Sequence, residues 1–111
     1  MAVKLAEISI VSAGDVELGG VNYTAWLDPG ELLTGSPTVV ELTPTGLTID
    51  NKSVNAVEVN VLDEAVAIGK AVLFRVAGQV AGKVYTIRIT VSTNSTPSRT
   101  IVRDLEFITA N

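Results

Sequence analysis

Two residue types, cysteine and histidine, are missing from this 111-residue chain. Without cysteine there is no disulfide, no thiol nucleophile and no Cys-ligated zinc or iron–sulfur centre. Without histidine the usual general base near neutral pH and the commonest metal ligand are also gone. Positive charge is scarce as well. Eight Lys and Arg stand against twelve Asp and Glu, a net charge of -4, which disfavours a sequence-independent nucleic-acid binder and a binder of anionic membranes. No apolar run approaches the roughly 20 residues that a membrane-spanning helix needs. The stretch Met1 to Ser12 has Lys4, but Glu7 interrupts its apolar part, so it does not read as a secretory signal. Aromatics make only 5% of a chain that is 47% hydrophobic, so the apolar content is aliphatic, with valine foremost.

That aliphatic content is largely β-branched, which suits a pleated surface better than a helix. Alternation is clearest from Val84 to Ser92, where Tyr85, Ile87, Ile89 and Val91 share one face against Thr86, Arg88 and Thr90. Val54 to Leu62 and Lys70 to Gly78 also read as strands, the second with Val72, Phe74 and Val76 inward and Arg75 outward. Further strands are expected at Leu5 to Val11, Val21 to Leu27, Thr38 to Thr43, Leu47 to Ile49 and Thr100 to Ile108. Turn signals such as Gly19-Gly20, Asp28-Pro29-Gly30, Gly35-Ser36-Pro37 and Pro44-Thr45-Gly46 separate them. Asp63 to Ile68 has room for one helical turn at most. No stretch sustains a 3.6-residue apolar period, so the fold expected is an all-β sandwich of about seven or eight short strands rather than a barrel or a βαβ fold. It forms a single domain, with residues 1–18 an amino-terminal arm or first strand and residues 19–111 the sandwich. Arg103 interrupts the apolar face of Ile101, Leu105 and Phe107, for which a bulge near Arg103 is the preferred explanation over an arginine reaching the sheet rim.

Chemistry finds few candidates. The acidic pairs Asp15 with Glu17, Asp28 with Glu31, and Asp63 with Glu64 all fall in expected turns and read as solvated acids. No calcium-loop series, Walker loop or GxGxxG is present, and the hydroxyls have no histidine to activate them. No enzyme, no metal and no cofactor is expected. Arg75, Arg88, Arg99 and Arg103 are candidates for a stripe across neighbouring strands, read as a solvated sheet face balanced by Asp104 and Glu106, with a docking surface for an acidic partner as the alternative. Tyr23 and Trp26 point to opposite faces of an extended chain, with Trp26 assigned to the core and an exposed interface aromatic as the alternative. Leu32 and Leu33, in a Gly/Pro-flanked loop, are candidate interface residues. Tyr85 follows a glycine turn at the start of a late strand, where a sandwich tyrosine turns inward and bonds its hydroxyl back to the backbone.

The run Tyr23-Thr24-Ala25-Trp26-Leu27, followed by Gly30-Glu31-Leu32-Leu33 and Gly46-Leu47-Thr48-Ile49, resembles the first half of small immunoglobulin-like virion proteins of tailed bacteriophages. Val76-Ala77-Gly78, Ala81-Gly82, Tyr85-Thr86-Ile87, Thr90-Val91-Ser92-Thr93, Arg99 and Arg103 resemble the second half. The resemblance covers about residues 20–108 and rests on turn and core positions, so no binding residue is carried over from it. It implies an all-β, immunoglobulin-like β-sandwich of about seven or eight short antiparallel strands, and a non-enzymatic structural component of a tailed-phage particle, an adaptor between neck, tail or fibre proteins. The alternative within that class is a head decoration protein on the major capsid protein. The implied partners are other virion proteins, with the chain a homo-oligomer on the particle and neither nucleic acid nor membrane involved. It would be made in the host cytoplasm without secretion and reside in the virion. A carbohydrate- or cell-surface-binding module is the reading from another class, and it requires an exposed aromatic platform.

Overall fold

A computed structural model describes residues 3–5, 10–12, 16–43 and 46–110. Among these residues are ten strands: β1 (Val3–Leu5), β2 (Ile10–Ser12), β3 (Glu17–Asn22), β4 (Leu33–Thr43), β5 (Thr48–Val54), β6 (Val59–Val61), β7 (Glu64–Val66), β8 (Ala71–Ala77), β9 (Val84–Thr93) and β10 (Thr100–Ala110). One 3-10 turn, Thr24–Trp26, interrupts the all-β pattern. The strands form a four-stranded sheet in the order β2-β10-β9-β4, a three-stranded sheet β3-β8-β5 and a small sheet β1-β6-β7. The first two are the immunoglobulin-type sandwich. Strand β4 joins β9 and β10 in one sheet while β3 and β5 flank β8 in the other, the Greek-key arrangement of that fold. Two pairs, β1 with β6 and β2 with β10, run parallel, a departure from the all-antiparallel expectation.

Strand alternation builds the core between the two large sheets. Val72, Phe74 and Val76 from β8 meet Tyr85, Ile87, Ile89 and Val91 from β9, with Val21, Tyr23, Leu105 and Phe107 completing the contact. Tyr85 and Phe107 stack with ring centroids 5.6 Å apart. The alternate residues of β8 do something else. Ala71 and Leu73 point out of the sandwich and pack under Val59, Val61 and Val66, so the β6–β7 hairpin forms a second, smaller core on the outside of the three-stranded sheet.

Several expectations are corrected here. Val21 to Leu27 is not one strand, because the Asn22 side chain accepts the Thr24 N–H at 2.9 Å and turns the chain at the end of β3. Trp26 therefore leaves the core and is 43% exposed, edge-on to the buried Tyr23 at 5.3 Å. Val54 to Leu62 is broken at Asn55, and Asp63 to Ile68 supplies β7 rather than a helical turn. The β9–β10 register runs without a shift from Thr100 to Ile108, so there is no bulge at Arg103. Arg103 instead lies over the Trp26 ring, 4.9 Å from its centroid. Of the expected strand Leu5 to Val11, residues 6–9 lie outside the described residues.

The break at Asn55 has a clear cause. Its side chain is buried and makes four hydrogen bonds to backbone: Nδ2 donates to the carbonyls of Val57 and Ala67, both at 2.9 Å, and Oδ1 accepts the N–H groups of Lys70 and Ala71 at 3.1 and 3.0 Å. One amide thus closes the base of the whole hairpin. A buried polar group has to be hydrogen-bonded to be tolerated, and here it is satisfied at every position. At the hairpin tip, Leu62 and Asp63 both adopt positive φ, 53° and 63°. That is the backbone of a two-residue type I′ turn, which Asn-Gly accepts far more readily than Leu-Asp.

Candidate functional site

At one end of the sandwich three connections, residues 23–32, 55–70 and 94–99, are laced together. The Tyr23 N–H donates to Lys70 O at 2.9 Å and the Leu33 N–H to Gly69 O at 2.8 Å. Asn94 copies a strand pairing: its N–H donates to Leu32 O at 2.9 Å, and its side-chain Oδ1 accepts the Leu32 N–H at 2.8 Å. Gly69, at φ +80°, carries Leu32 directly against it, where an added Cβ would lie 3.3 Å from Leu32 Cδ2. A side chain at Gly69 would be strained twice, by conformation and by contact.

An ion pair ties the same end. Glu31 is 4% exposed, and Arg99 grips it with Nε on Oε2 at 3.1 Å and Nη2 on Oε1. The Arg99 Nη2 also donates to Trp26 O at 2.7 Å, while the Asp28 N–H donates to Glu31 Oε1 at 2.9 Å. The Arg99 guanidinium, and next to it the Asp28 N–H, hold the Glu31 carboxyl well below the usual carboxylate range against the opposing effect of burial. Glu31 is thus a structural anion rather than the solvated acid read from sequence. Its partner lies 68 residues away, so the pairing has no local sequence signal.

Two further ion pairs lie on the sheet faces. Arg75 makes a two-pronged contact with Asp50, at 2.7 Å for each prong, and Arg88 does the same with Asp104 at 2.8 and 3.0 Å. In each pair the arginine's hydrogen bonds lower the carboxyl pKa and the carboxylate raises that of the guanidinium. Arg75 belongs to the three-stranded sheet and Arg88 to the four-stranded one, so the four arginines do not form a single stripe. Of the acidic pairs weighed for catalysis, Asp15 and the side chain of Glu17 lie outside the described residues, and Glu64 is exposed at the start of β7. Among the described residues no group of three or more acidic side chains is placed to hold a metal ion.

Leu33 is a core residue, 5% exposed, and so is not available as an interface residue. It heads β4 opposite Thr93, and strand alternation turns it inward. Leu32 is half-buried, with its backbone held by Asn94 and its side chain on Gly69. The Val80 N–H donates to the Tyr85 hydroxyl at 3.0 Å, the bond back to upstream backbone that defines a tyrosine corner.

Exposed aliphatics gather elsewhere, on the two outer faces. On the four-stranded sheet the register aligns Val102, Thr90 and Thr38 in one outward row and Asp104, Arg88 and Val40 in the next. Val84 and Ile108 pair farther along the same face. Val40, Val84, Val102 and Ile108 are all exposed there. On the opposite side of the sandwich, a groove of about 260 Å³ runs between the hairpin and the outer face of the three-stranded sheet, lined by Leu18, Asn51, Ser53, Val57, Val59 and Leu73. Leu18 and Val57 on its rim, and Leu62 at the hairpin tip, are exposed. Neither Val40 nor Leu62 stands out in the sequence, because an aliphatic in a strand reads as core until the register is known. No protein-family model, curated protein or solved structure matches the chain.

Proposed function

We propose that this chain is a non-enzymatic structural adaptor of a tailed-phage particle, joining neck, tail or fibre proteins. The observation that carries the reading is the placement of exposed aliphatics on both outer faces of a rigid sandwich, Val102 and Ile108 on one side and Leu18, Val57 and Leu62 on the other. An adaptor has to meet two neighbours at once, and opposite faces do this without strain. Ion pairing supports the same reading, since Arg99–Glu31, Arg75–Asp50 and Arg88–Asp104 place charge in structural roles. Repetition on a symmetric particle converts weak single contacts into firm attachment.

A carbohydrate-binding module has one observation in its favour, the exposed Trp26. Its indole is already engaged, however, by Arg103 over the ring and by Tyr23 at its edge, which leaves a poor platform for a sugar. The test is the copy number of the chain in purified particles by quantitative mass spectrometry. Roughly six to a few dozen copies, the stoichiometry of a closed ring or collar, is the expected result. Hundreds of copies would replace the adaptor with capsid decoration, and absence would remove the virion reading altogether.

A further inference from the structure

We propose that the free edge of β4 pairs with the same strand of a second copy, antiparallel about a two-fold axis through Val40. This goes beyond the adaptor reading and does not depend on it.

Among the described residues β4 has a strand neighbour, β9, on one side only. Every second residue along its other side therefore presents an N–H and a C=O with no ladder partner, a ready template for another strand. The remaining edges are guarded or short. β5 is interrupted by a register shift between Asp50 and Ser53, carries Asp50 and Lys52, and holds Asn51 at φ 52°. β1, β2 and β7 have three residues each, and β3, with six, opens on Glu17 and carries Gly19-Gly20 at its middle, where a strand pairs weakly. In β4, register shifts confine regular pairing to Thr38 through Glu41. That window holds one charge, Glu41, and its Oε2 is turned to accept the Leu47 N–H at 2.7 Å.

The second copy is the occupant because the window is self-complementary in one register. Centred on Val40, the pairing sets Val40 opposite its symmetry mate and Val39 opposite Glu41 inside the window, and carries Thr38 opposite Leu42, the residue at the second register shift. All three outward residues, Thr38, Val40 and Leu42, are exposed in the single chain and would meet as a continuous row of methyl-bearing side chains. A register centred on Glu41 would set like charges directly opposite, which is unfavourable. A register centred on Val39 would bring Pro37, which has no N–H, into the ladder. Charge and backbone valence therefore select the Val40 register. The pairing also covers the open seam between the two sheets, a space of about 270 Å³ lined by Val39, Val40, Glu41, Leu47 and Ile49, and joins two four-stranded sheets into one continuous sheet.

The chain's lack of cysteine makes a direct test possible. Light scattering over a concentration series is expected to show a dimer that dissociates on dilution. Val40→Lys, which puts two ammonium groups beside the axis, is expected to weaken it at least about tenfold, with circular dichroism and the melting curve confirming that the variant folds. Independently, Val40→Cys is expected to cross-link to itself under mild oxidation, because opposed Cβ atoms lie within disulfide reach. Thr38→Cys and Leu42→Cys are each expected to stay uncross-linked alone and to cross-link to one another when mixed. A monomer at every concentration, a dimer indifferent to Val40→Lys, or a Val40→Cys dimer that forms no disulfide across the axis would overturn the proposal.

Discussion

The outer faces of the two sheets differ in what covers them. On the three-stranded sheet the outward side chains of β8, Ala71 and Leu73, are covered by the chain's own β6–β7 hairpin, whose Val59, Val61 and Val66 complete a second core. On the four-stranded sheet Val40, Val84, Val102 and Ile108 point outward in the same way and remain exposed among the described residues. The molecule thus shows on one side how an apolar sheet face is closed, by a short β-layer pinned through a single buried amide. On the other a comparable face has no such cover among the described residues. Scattered surface aliphatics are ordinary in soluble proteins, but aliphatics that strand register holds at fixed positions around the Arg88–Asp104 pair on one sheet face make a surface on which a partner can be built.

The comparison can be broken from the inside outward. Phe107→Ala removes a side chain shared by both halves of the main core, and a loss of about 3–5 kcal/mol in chemical denaturation is expected, with the whole sandwich unfolding as one unit. Asn55→Ala strikes the covered face alone. It strands buried backbone N–H and C=O groups at the hairpin base, so about 2–3 kcal/mol is the expected loss. Hydrogen exchange should rise at residues 55–70 while Ile87 and Ile89 stay protected; uniform loosening would mean that the hairpin is not a separable layer.

Acid tests the laced end in a different way. Glu31, Asp50 and Asp104 all have carboxyl pKa values lowered in the folded chain from ordinary values of 4.5, 3.8 and 3.8. Groups of this kind stabilise fully above their unfolded pKa, and the contribution is lost as pH falls through the folded one. The melting temperature is therefore expected to hold from neutrality to about pH 5 and to fall progressively below the ordinary carboxylate values. Glu31→Gln should melt lower than the parent at pH 7, with the gap narrowing in strong acid; a gap that stays constant with pH would remove Glu31 as its source.

Tyr85→Phe, which deletes the hydroxyl that accepts the Val80 N–H, is expected to cost about 1 kcal/mol, and an unchanged melting curve would show that this bond contributes nothing net. The smallest effect on folding is expected on the uncovered face. Val102→Asp should shift stability by no more than about 0.5 kcal/mol yet abolish incorporation into particles, whereas a stability loss like that of a core substitution would mean the face is not free.

The main sandwich was legible in the sequence because its signal is local. Period-two alternation in Val84 to Ser92 and Lys70 to Gly78 marks buried and exposed faces directly, and the glycine before Tyr85 marks the corner. The failures have one physical form, a contact between residues far apart in the chain. Asn55 reads as a polar residue inside a strand until Ala67, Lys70 and Ala71 return to it. Glu31 reads as a turn acid until Arg99 arrives. Leu33 reads as a loop residue because the start of β4 is set by its pairing with Thr93 rather than by the Gly30 and Gly35 around it. Trp26 is the local exception, since its size outweighs the small cue of Asn22, whose side chain turns the chain two residues ahead.

The most direct test of an adaptor with a docking face on each side is a reconstruction of the particle by electron cryo-microscopy at side-chain resolution. The expected map places Val102 and Ile108 against one neighbouring protein and Val57 and Leu62 against another, with the Asn55-pinned hairpin intact between the groove and β8. A map in which either outer face is bare to solvent would contradict it.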